Sequence, residues 1–507
     1  MPEDLLENIY LKIKKRWKIA FFSAVIIGFL THLFVMTNSL PNHDGVNNYY
    51  DPQMKFSSGR FFLNPFAGIS SYFDLPLING LLGILYLSLL SVVLVEIFKL
   101  RKTLSIVLMA GLIVTFPTIA STFSYMFTAD GYMFSFFTTA LAVLLTIRFK
   151  YGFLPGAILF YLSVGVYQAN LPLAVSVVAL WFMKELLYGD EKLKSQIISL
   201  GKQVVMVVLG MIAYVVTYKL YQGMRGITGY QGLDSAGSVS LQDIPGQLYL
   251  LIREFIKFFI DDNPNLFELL NVGVIGLILI GGILILMNRY KAIGYMKTLF
   301  IIISALLLPV FSLLLYFISP DVKYHMLMVM SLVVFYFIPL IVYDSIRVNN
   351  LMTSAYSWST VIILALTVFN FTLISNISYL NMNLKYERTY ALANRVLDRI
   401  EQTENIEDVN KIAILGKPQN YAYSPFSSTL ARSVPPMTGA LGSIFIHDSN
   451  RFSNMFDQYL GIELDGVTNR QIRELENNST VNDMGSWPAA DSVVIIDDMV
   501  IVKFQED

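Results

Sequence analysis

The fold class is decided by residues 76–98, which read PLINGLLGILYLSLLSVVLVEIF and contain a single charged side chain, Glu96. A helix of about 20 mostly apolar residues spans the roughly 30 Å hydrocarbon core of a bilayer. Comparable apolar runs occur near residues 19–36, 76–98, 103–121, 132–149, 153–170, 171–188, 203–220, 266–288, 297–318, 324–343 and 355–376. The sequence therefore predicts an all-α polytopic membrane protein of about eleven transmembrane helices.

The fifth and sixth runs are nearly continuous, separated only by Gln168-Ala169-Asn170 and Pro172. Proline has no backbone N–H and disfavours a helical conformation in the residue before it. We interpret these two runs as a tight hairpin that turns after Asn170.

The composition agrees with a membrane protein. Of the 507 residues, 55% are hydrophobic and 14% are charged, whereas a soluble domain carries about 25% charged residues. The net charge of -1 gives no electrostatic basis for nucleic-acid binding. Because the chain has no cysteine, disulfides, thiol catalysis and cysteine-held metals are excluded.

Lysine and arginine are distributed asymmetrically between the two sides of the predicted spans. With the N-terminus inside, the cytoplasmic segments hold 18 of them and the outer loops between spans hold 7. Cytoplasmic loops of membrane proteins carry an excess of these residues. We expect a multi-pass protein of the cell (inner or cytoplasmic) membrane with a cytoplasmic N-terminus, and an odd number of spans leaves residues 377–507 outside.

Two predicted outer loops, residues 37–75 and 221–265, are too long and too apolar to be simple connectors. The first is rich in tyrosine and phenylalanine, which favours short helices lying in the membrane interface. In the second, a Gly-rich stretch from Gly223 to Gly237 precedes a segment from Leu248 in which apolar residues recur at helical spacing. We interpret that segment as an amphipathic helix, either at the membrane surface or packed on the bundle.

The composition changes near residue 377, where charged residues and asparagine return. Residues 1–376 are expected to form a transmembrane domain, and residues 377–507 a small extracytoplasmic α/β domain. Within residues 377–507, Lys385–Glu401 is predicted to be a helix and Lys411–Gly416 a strand, and a hairpin is predicted to turn at Asp497–Asp498.

Acidic side chains near membrane depth are costly and therefore indicate function. Asp44 follows the first span directly after Asn42 and His43, and a general base needs a carboxylate that can reach a substrate hydroxyl. The alternative for Asp44 is a helix N-cap. Asp130 sits in a predicted short outer loop and could also be an N-cap. If both lie at one level, they could share a hydroxyl, bind a divalent cation, or divide base and orienting roles.

Several other outer-face side chains could contact a substrate. Lys323-Tyr324-His325 at a helix mouth could hold a phosphate, or could be a snorkelling lysine beside an interfacial tyrosine. Tyr167-Gln168 could hydrogen-bond a sugar, or satisfy a kinked helix. No metal-spaced cluster such as HExxH is present. The expected substrate-binding residues are Asn42, His43, Arg60, Tyr132, Tyr167, Gln168, Arg225, Lys323 and His325.

Four short motifs follow one another on the predicted outer face: Asn42-His43-Asp44-Gly45, Ser58-Gly59-Arg60-Phe61, Ala129-Asp130-Gly131-Tyr132 and Gly165-Val166-Tyr167-Gln168. In order and topology they resemble the glucosyltransferase II family of bacterial membrane glucosyltransferases. The resemblance covers about residues 15–375 and implies a C-type glycosyltransferase fold.

The resemblance also implies an activity. Such enzymes take a hexose, here expected to be glucose, from a polyprenyl-phosphate carrier and add it to a cell-surface glycan, so the partners would be this donor, a glycan acceptor and the bilayer. In such enzymes an aspartate in the first outer loop serves as the general base, and the matching residue here is Asp44. Asp130 matches the family's second acidic position. Arg60 matches the family's arginine, and we expect it to hold the donor phosphate. The resemblance implies no required cofactor, with a divalent cation left open, and a single inverting displacement.

Three other functions remain open from the sequence. A transporter or flippase of lipid-linked sugars would use the same charged groups, although its charges should line a path through the midplane. An outer-face polysaccharide polymerase or ligase would share the carrier lipid, and its expected mark is arginine-rich outer loops. A purely structural or sensory membrane protein is the third alternative, with the C-terminal domain as a binding module.

Overall fold

The computed structural model of the chain describes residues 1–4, 7, 12–226, 240, 242–261, 269–319, 324–403, 406–418 and 437–505. The chain divides into two compact units. The first comprises Met1–Thr37 and Asp51–Asn376, and the second comprises Asn38–Tyr50 and Ile377–Asp507. The short segment that carries Asp44 therefore belongs to the same unit as the C-terminal residues.

The first unit is built mainly from apolar helices, the last of which continues into the second unit. In chain order they are α1 (Lys15–Thr37), α2 (Leu63–Ala67), α3 (Pro76–Ile97), α4 (Thr103–Thr115), α5 (Pro117–Phe123), α6 (Met126–Arg148), α7 (Phe153–Val166), α8 (Asn170–Tyr188), α9 (Leu193–Arg225), α10 (Ile244–Ile256), α11 (Leu269–Ile293), α12 (Tyr295–Ser312), α13 (Val334–Ser345) and α14 (Leu351–Glu401). Helix α3 packs against α1 and α6, and α7 packs against α6 and α9.

Every one of the eleven predicted runs contains a helix, but not all are long enough to cross a membrane alone. Among the described residues, eight helices meet the length and composition of a span, namely α1, α3, α6, α8, α9, α11, α12 and α14. The bent pair α4 and α5 would make a ninth. Helices α7 and α13 are apolar but shorter. The helix lengths thus support eight or nine complete crossings, fewer than the eleven expected.

A proline explains the bend between α4 and α5. Helices α4 and α5 meet at an angle of 41°, because Pro117 has no N–H to continue α4 and Phe116 before it is extended. The hairpin predicted after Asn170 is misplaced: α7 ends at Val166 and α8 already begins at Asn170. Pro172 lies in the first turn of α8, where its missing N–H costs no hydrogen bond.

The segment after Asp51 is fixed to the ends of α7 and α8. The Phe62 N–H donates to the Gly165 carbonyl at 2.9 Å. A Cβ atom at Gly165 would lie 2.5 Å from the Phe62 ring and 2.8 Å from the Phe61 ring. Only glycine therefore lets the two aromatic rings approach α7 this closely, and this contact sets the position of the neighbouring Arg60.

The helix predicted from Leu248 onward in residues 221–265 is confirmed as α10. It begins at Ile244 with Pro245 in its first turn, and Gln247 and Leu251 are buried on one face. Of the Gly-rich stretch before it, the first residues complete α9 and its last turn, and residues 227–239 lie outside the described residues.

The second unit is a small α/β structure. Its elements are β1 (Lys411–Leu415), α15 (Ser449–Met455), β2 (Asp465–Gly466), α16 (Asn469–Leu475), α17 (Ser479–Asp483), β3 (Val493–Ile496) and β4 (Met499–Lys503). The sheet order is β2-β1-β4-β3, with β1 parallel to β2 and β4, and β3 antiparallel to β4. The predicted strand and the predicted hairpin are both confirmed.

The two central strands are covered on both faces, as their continuous apolar sequences require. Alternate residues of β1 and β4 enter two separate cores. The larger core also contains Val46 from the segment Asn38–Tyr50, which is fully buried there. The predicted helix Lys385–Glu401 is not a separate element, because α14 runs unbroken from Leu351 to Glu401.

We expect Gly165→Ala to lower the melting temperature of the purified protein in nanodiscs. The added methyl must displace two packed aromatic rings, and such overpacking costs about 1–3 kcal/mol. Gly201→Ala is the matched control, because no atom lies within 4 Å of a Cβ at this helical glycine. Alanine should there leave stability unchanged or raise it by about 1 kcal/mol. Equal melting temperatures for the two variants would contradict the close approach at Gly165.

Candidate functional site

Arg60 contacts two tyrosines, Tyr132 and Tyr167, in the first unit. Its Nη1–H donates to the Tyr132 hydroxyl at 2.9 Å. Its guanidinium also lies over the Tyr167 ring, 5.1 Å from the centroid. The rings of Tyr132 and Tyr167 stack on each other at 4.8 Å. The structure thus brings together one residue from each of three motifs that are far apart in the sequence.

Gln168 holds the loop that carries Arg60. Its Nε2 donates to the Ser58 carbonyl at 2.6 Å and to the Tyr214 hydroxyl at 2.8 Å. The two sequence alternatives for Gln168 were a sugar contact and the satisfaction of a kinked helix. In the structure its amide bridges the Arg60 loop and α9, which is a positioning role.

The surroundings of this Arg60 group are apolar. The buried side chains of Leu63, Val166, Ala169 and Leu315 pack with Tyr132 and Tyr167. Phe62, Phe66, Ile318, Tyr324 and Met328 are partly buried against them. A charge in such a low-dielectric environment interacts more strongly with an anion than the same charge in water.

Asp130 lies inside a helix rather than in a loop. Helix α6 begins at Met126, so Asp130 is neither a loop residue nor an N-cap, and both expectations are wrong. It is 1% exposed. Its Oδ1 accepts the Gly131 N–H at 3.0 Å and Ser70 lies within hydrogen-bonding reach. Its Oδ2 has no partner among the described residues, which is unusual for a buried carboxylate.

Of the remaining predicted contacts in the first unit, the structure describes Arg225 and His325. Arg225, at the end of α9, lies over the Phe56 ring at 4.4 Å and near Tyr221. His325 is close enough to Arg60 for the two to interact electrostatically. Lys323 lies outside the described residues.

Asp74 is a further carboxylate that no motif in the sequence indicates. Its Oδ1 is buried and has no hydrogen-bond partner among the described residues. Burial raises the pKa of Asp74 to about 7. Ser71 and Tyr72 just before it have φ values of 84° and 67°, a region that non-glycine residues rarely adopt. Such strain is concentrated at functional sites, and a carboxyl group titrating near pH 7 can exchange protons there.

In the second unit, Asp44 lies at the start of a single 3-10 turn, Gly45–Asn47. It occupies the N-cap position, but its side chain makes no capping hydrogen bond. The Asn42 Oδ1 instead accepts the N–H groups of Asp44 and Gly45, both at 2.8 Å. Asn42 thus shapes the turn, and the Asp44 carboxylate is not used to cap it. The Asp44 side chain is 44% exposed.

Arg451 is a charged partner of Asp44, and it lies more than 400 residues away in the sequence. Its Nη2 is 3.7 Å from Asp44 Oδ1, and its Nε–H donates to the His43 carbonyl at 2.7 Å. Asp448 pairs with the same guanidinium and caps α15. Because arginine is present throughout the chain, no sequence signal marks this one.

Two histidines lie beside Asp44. His43 Nε2 is 3.5 Å from Asp44 Oδ2, and the His43 and His447 rings are 6.3 Å apart. Burial lowers the pKa of His43 below its usual value, and the nearby Lys385 and Arg451 act in the same direction, although Asp44 opposes them. Burial and Arg451 lower the pKa of His447 to about 4. Both imidazoles are therefore neutral near pH 7.

No group of three or more His, Asp or Glu side chains in the described part of the chain is arranged to hold a metal ion. His32, within α1, is a packed histidine: it is fully buried and hydrogen-bonded to the Val114 carbonyl at 2.7 Å.

Comparisons with known proteins give one family. The family model described as glucosyl transferase GtrII matches residues 33–343. No curated protein and no solved structure matches the chain. The matched region is more than half of the 507 residues and includes Asp44, Arg60 and Asp130, which confirms the resemblance carried by the four motifs. The chain therefore belongs to the glucosyl transferase GtrII family and is a membrane glycosyltransferase.

Proposed function

We propose that the protein transfers a hexose, most simply glucose, from a polyprenyl-phosphate carrier to a cell-surface glycan on the outer face of the cell membrane. The observation that carries this proposal is the Asp44 carboxylate, which does not cap its helical turn and is contacted by Arg451 and His43. The family match supplies the class of reaction.

The reaction is a single inverting displacement. The acceptor hydroxyl oxygen forms a bond to the anomeric carbon of the donor sugar, and the bond from that carbon to the phosphate oxygen breaks. The electron pair of that bond leaves with the polyprenyl phosphate. Asp44 takes the proton of the acceptor hydroxyl as general base. A stabilised phosphate is a good leaving group, so the reaction requires no general acid.

The surroundings of Asp44 suit a base. Its carboxylate is 44% exposed, so an incoming hydroxyl can reach it. Arg451 is only 18% exposed and is held by Asp448 and by the His43 carbonyl. A fixed guanidinium can orient the carboxylate without itself moving. We assign Arg451 as a positioning residue.

Arg60 suits the donor phosphate. A guanidinium carries five N–H donors in a planar fork that matches phosphate oxygens. The apolar side chains around Arg60 strengthen its attraction for an anion, and they also suit contact with the isoprenoid chain. Asp130, with its buried unpaired Oδ2, is proposed to accept a hydrogen bond from a sugar hydroxyl.

The proposed orientation rests on the distribution of charge. The bent pair α4–α5 and the shorter helices α7 and α13, counted as crossings beside the eight long helices of the described residues, give eleven crossings, an odd number. The N-terminus is then cytoplasmic and residues 377–507 are outside, because 18 lysines and arginines fall in the cytoplasmic segments against 7 in the outer loops. The donor and the acceptor glycan then meet the enzyme on the outer face.

We expect Asp44→Asn to reduce sugar transfer by about 100-fold or more, because a general base contributes at least this factor. Transfer is measured with full-length protein in nanodiscs, polyprenyl-phosphate-glucose and surface glycan, with and without EDTA. Asp457→Asn is the matched control, an exposed aspartate of the same unit. Undiminished turnover by Asp44→Asn would refute its role as base. If wild type transfers no sugar but moves the lipid-linked sugar across vesicles, the transporter alternative is correct.

We expect Arg60→Lys to raise the KM for the donor by about tenfold, because lysine cannot bind phosphate through two parallel N–H groups. The KM for the acceptor glycan should stay the same. The exposed Arg148 at the end of α6 gives the control Arg148→Lys. A change in the acceptor KM alone would show that Arg60 does not bind the donor phosphate.

A further inference from the structure

A polar groove lies within the second unit, close to Asp44 along the chain. Its volume is about 570 Å³, within the range of about 300–1,000 Å³ found for small-molecule sites. It is lined by residues of α15, by the start of β1, by β2, and by Asn47 from the 3-10 turn that follows Asp44. The family match ends at residue 343, so most of this groove lies beyond it.

The lining of the groove is rich in carboxamides. Asn47, Asn450, Asn454 and Gln471 all line it. A carboxamide offers hydrogen-bond donors and an acceptor on one group. A sugar hydroxyl also donates and accepts, so neighbouring hydroxyls of a glycan are matched by such a surface.

The described lining of the groove has no surplus of positive charge. Lys411 and Asp465 both line it, and Lys411 is already paired with Asp498 at 2.6 Å. A phosphate or a nucleic acid would require a surplus of arginine or lysine, and an apolar ligand would require an apolar lining. The lining therefore fits an uncharged, polyhydroxylated ligand.

The carboxamides are held in place before any ligand binds. Asn454 Nδ2–H donates to the Asn47 Oδ1 at 2.8 Å, which joins α15 to the turn after Asp44. A Cβ atom at Gly466 would lie 2.5 Å from Asn450 Oδ1 and 2.8 Å from Asn450 Cα. Glycine at this position of β2 therefore lets α15 lie directly against the strand. A preorganised site pays less entropy on binding.

Two elements, the 3-10 turn after Asp44 and α15, carry residues of both the groove and the proposed base. The Asn47 N–H donates to the Asp44 carbonyl at 3.1 Å within the same turn. On α15, Arg451 contacts Asp44 while its neighbour Asn450 lines the groove. The groove and the proposed base are therefore built on the same two short elements.

From this arrangement we infer that the groove is the acceptor site, which binds an uncharged oligosaccharide segment of the glycan and delivers its end to Asp44. The assignment of the ligand as acceptor rests on the proposed function. The binding of a neutral glycan stands on the groove itself.

Binding can be measured without catalysis. The full-length protein in nanodiscs is titrated with short neutral gluco-, galacto- and rhamno-oligosaccharides, with oligogalacturonate as the charged comparison, and binding is followed by saturation-transfer NMR. At least one neutral oligosaccharide should bind wild type and Asp44→Asn equally. Asn450→Ala and Asn454→Ala should each weaken binding about fivefold, the effect of one lost hydrogen bond. Asn469→Ala, an exposed asparagine that does not line the groove, should bind as wild type does.

Sugar transfer then separates this inference from the proposed function. In the transfer assay the two groove variants should raise the KM for the glycan about fivefold each and leave the KM for the donor unchanged. If wild type transfers no sugar but the groove variants still lose oligosaccharide binding, the proposed function fails and the glycan site stands. The inference is overturned if no neutral oligosaccharide binds, if oligogalacturonate binds better, or if both variants bind and turn over as wild type does.

Discussion

One irregular segment, which contains Ser58 and Phe62, positions the polar residues of the first unit. It does so because it is hydrogen-bonded to residues at and just after the end of α7. The Phe62 N–H bonds to the Gly165 carbonyl, and the Gln168 amide bonds to the Ser58 carbonyl. Backbone groups buried in apolar surroundings must find such partners, because an unpaired one costs about as much as a lost hydrogen bond. Arg60 lies between the two anchors. Its guanidinium therefore meets Tyr132 and Tyr167 in a fixed arrangement, although it lies on a loop.

The acidic residues are placed by different means in the two units. Asp130 is carried by a regular helix that buries it almost completely. Asp44 lies at the start of a short turn whose shape is set by hydrogen bonds to Asn42. Val46, within that turn, is buried in the larger core of the second unit. A buried Asp130 is suited to recognise a substrate group that enters the protein. The more exposed Asp44 is suited to a substrate that arrives from solution, as a polymeric glycan does.

Helix α15 combines two tasks in seven residues. One side of it presents Arg451 to Asp44, and another presents Asn450 and Asn454 to the groove. Adjacent residues of a helix point in directions about 100° apart, so a single turn can serve a charged contact and a neutral surface. The close approach at Gly466 keeps this helix against the sheet.

The sequence by itself determined the membrane class, the positions of the apolar helices, β1, the final hairpin and the family. These follow from local properties, namely runs of apolar residues, alternation along strands and short motifs. Three of the four motifs turned out to converge on Arg60, which their order in the chain did not require. Only the tertiary structure decided that Asp130 lies inside α6, that the helix break falls at Tyr167–Ala169, and that Arg451, His447 and the Asn450 groove accompany Asp44. The physical reason is that contacts between residues hundreds of positions apart depend on how the core packs, and no local pattern in the chain records that packing.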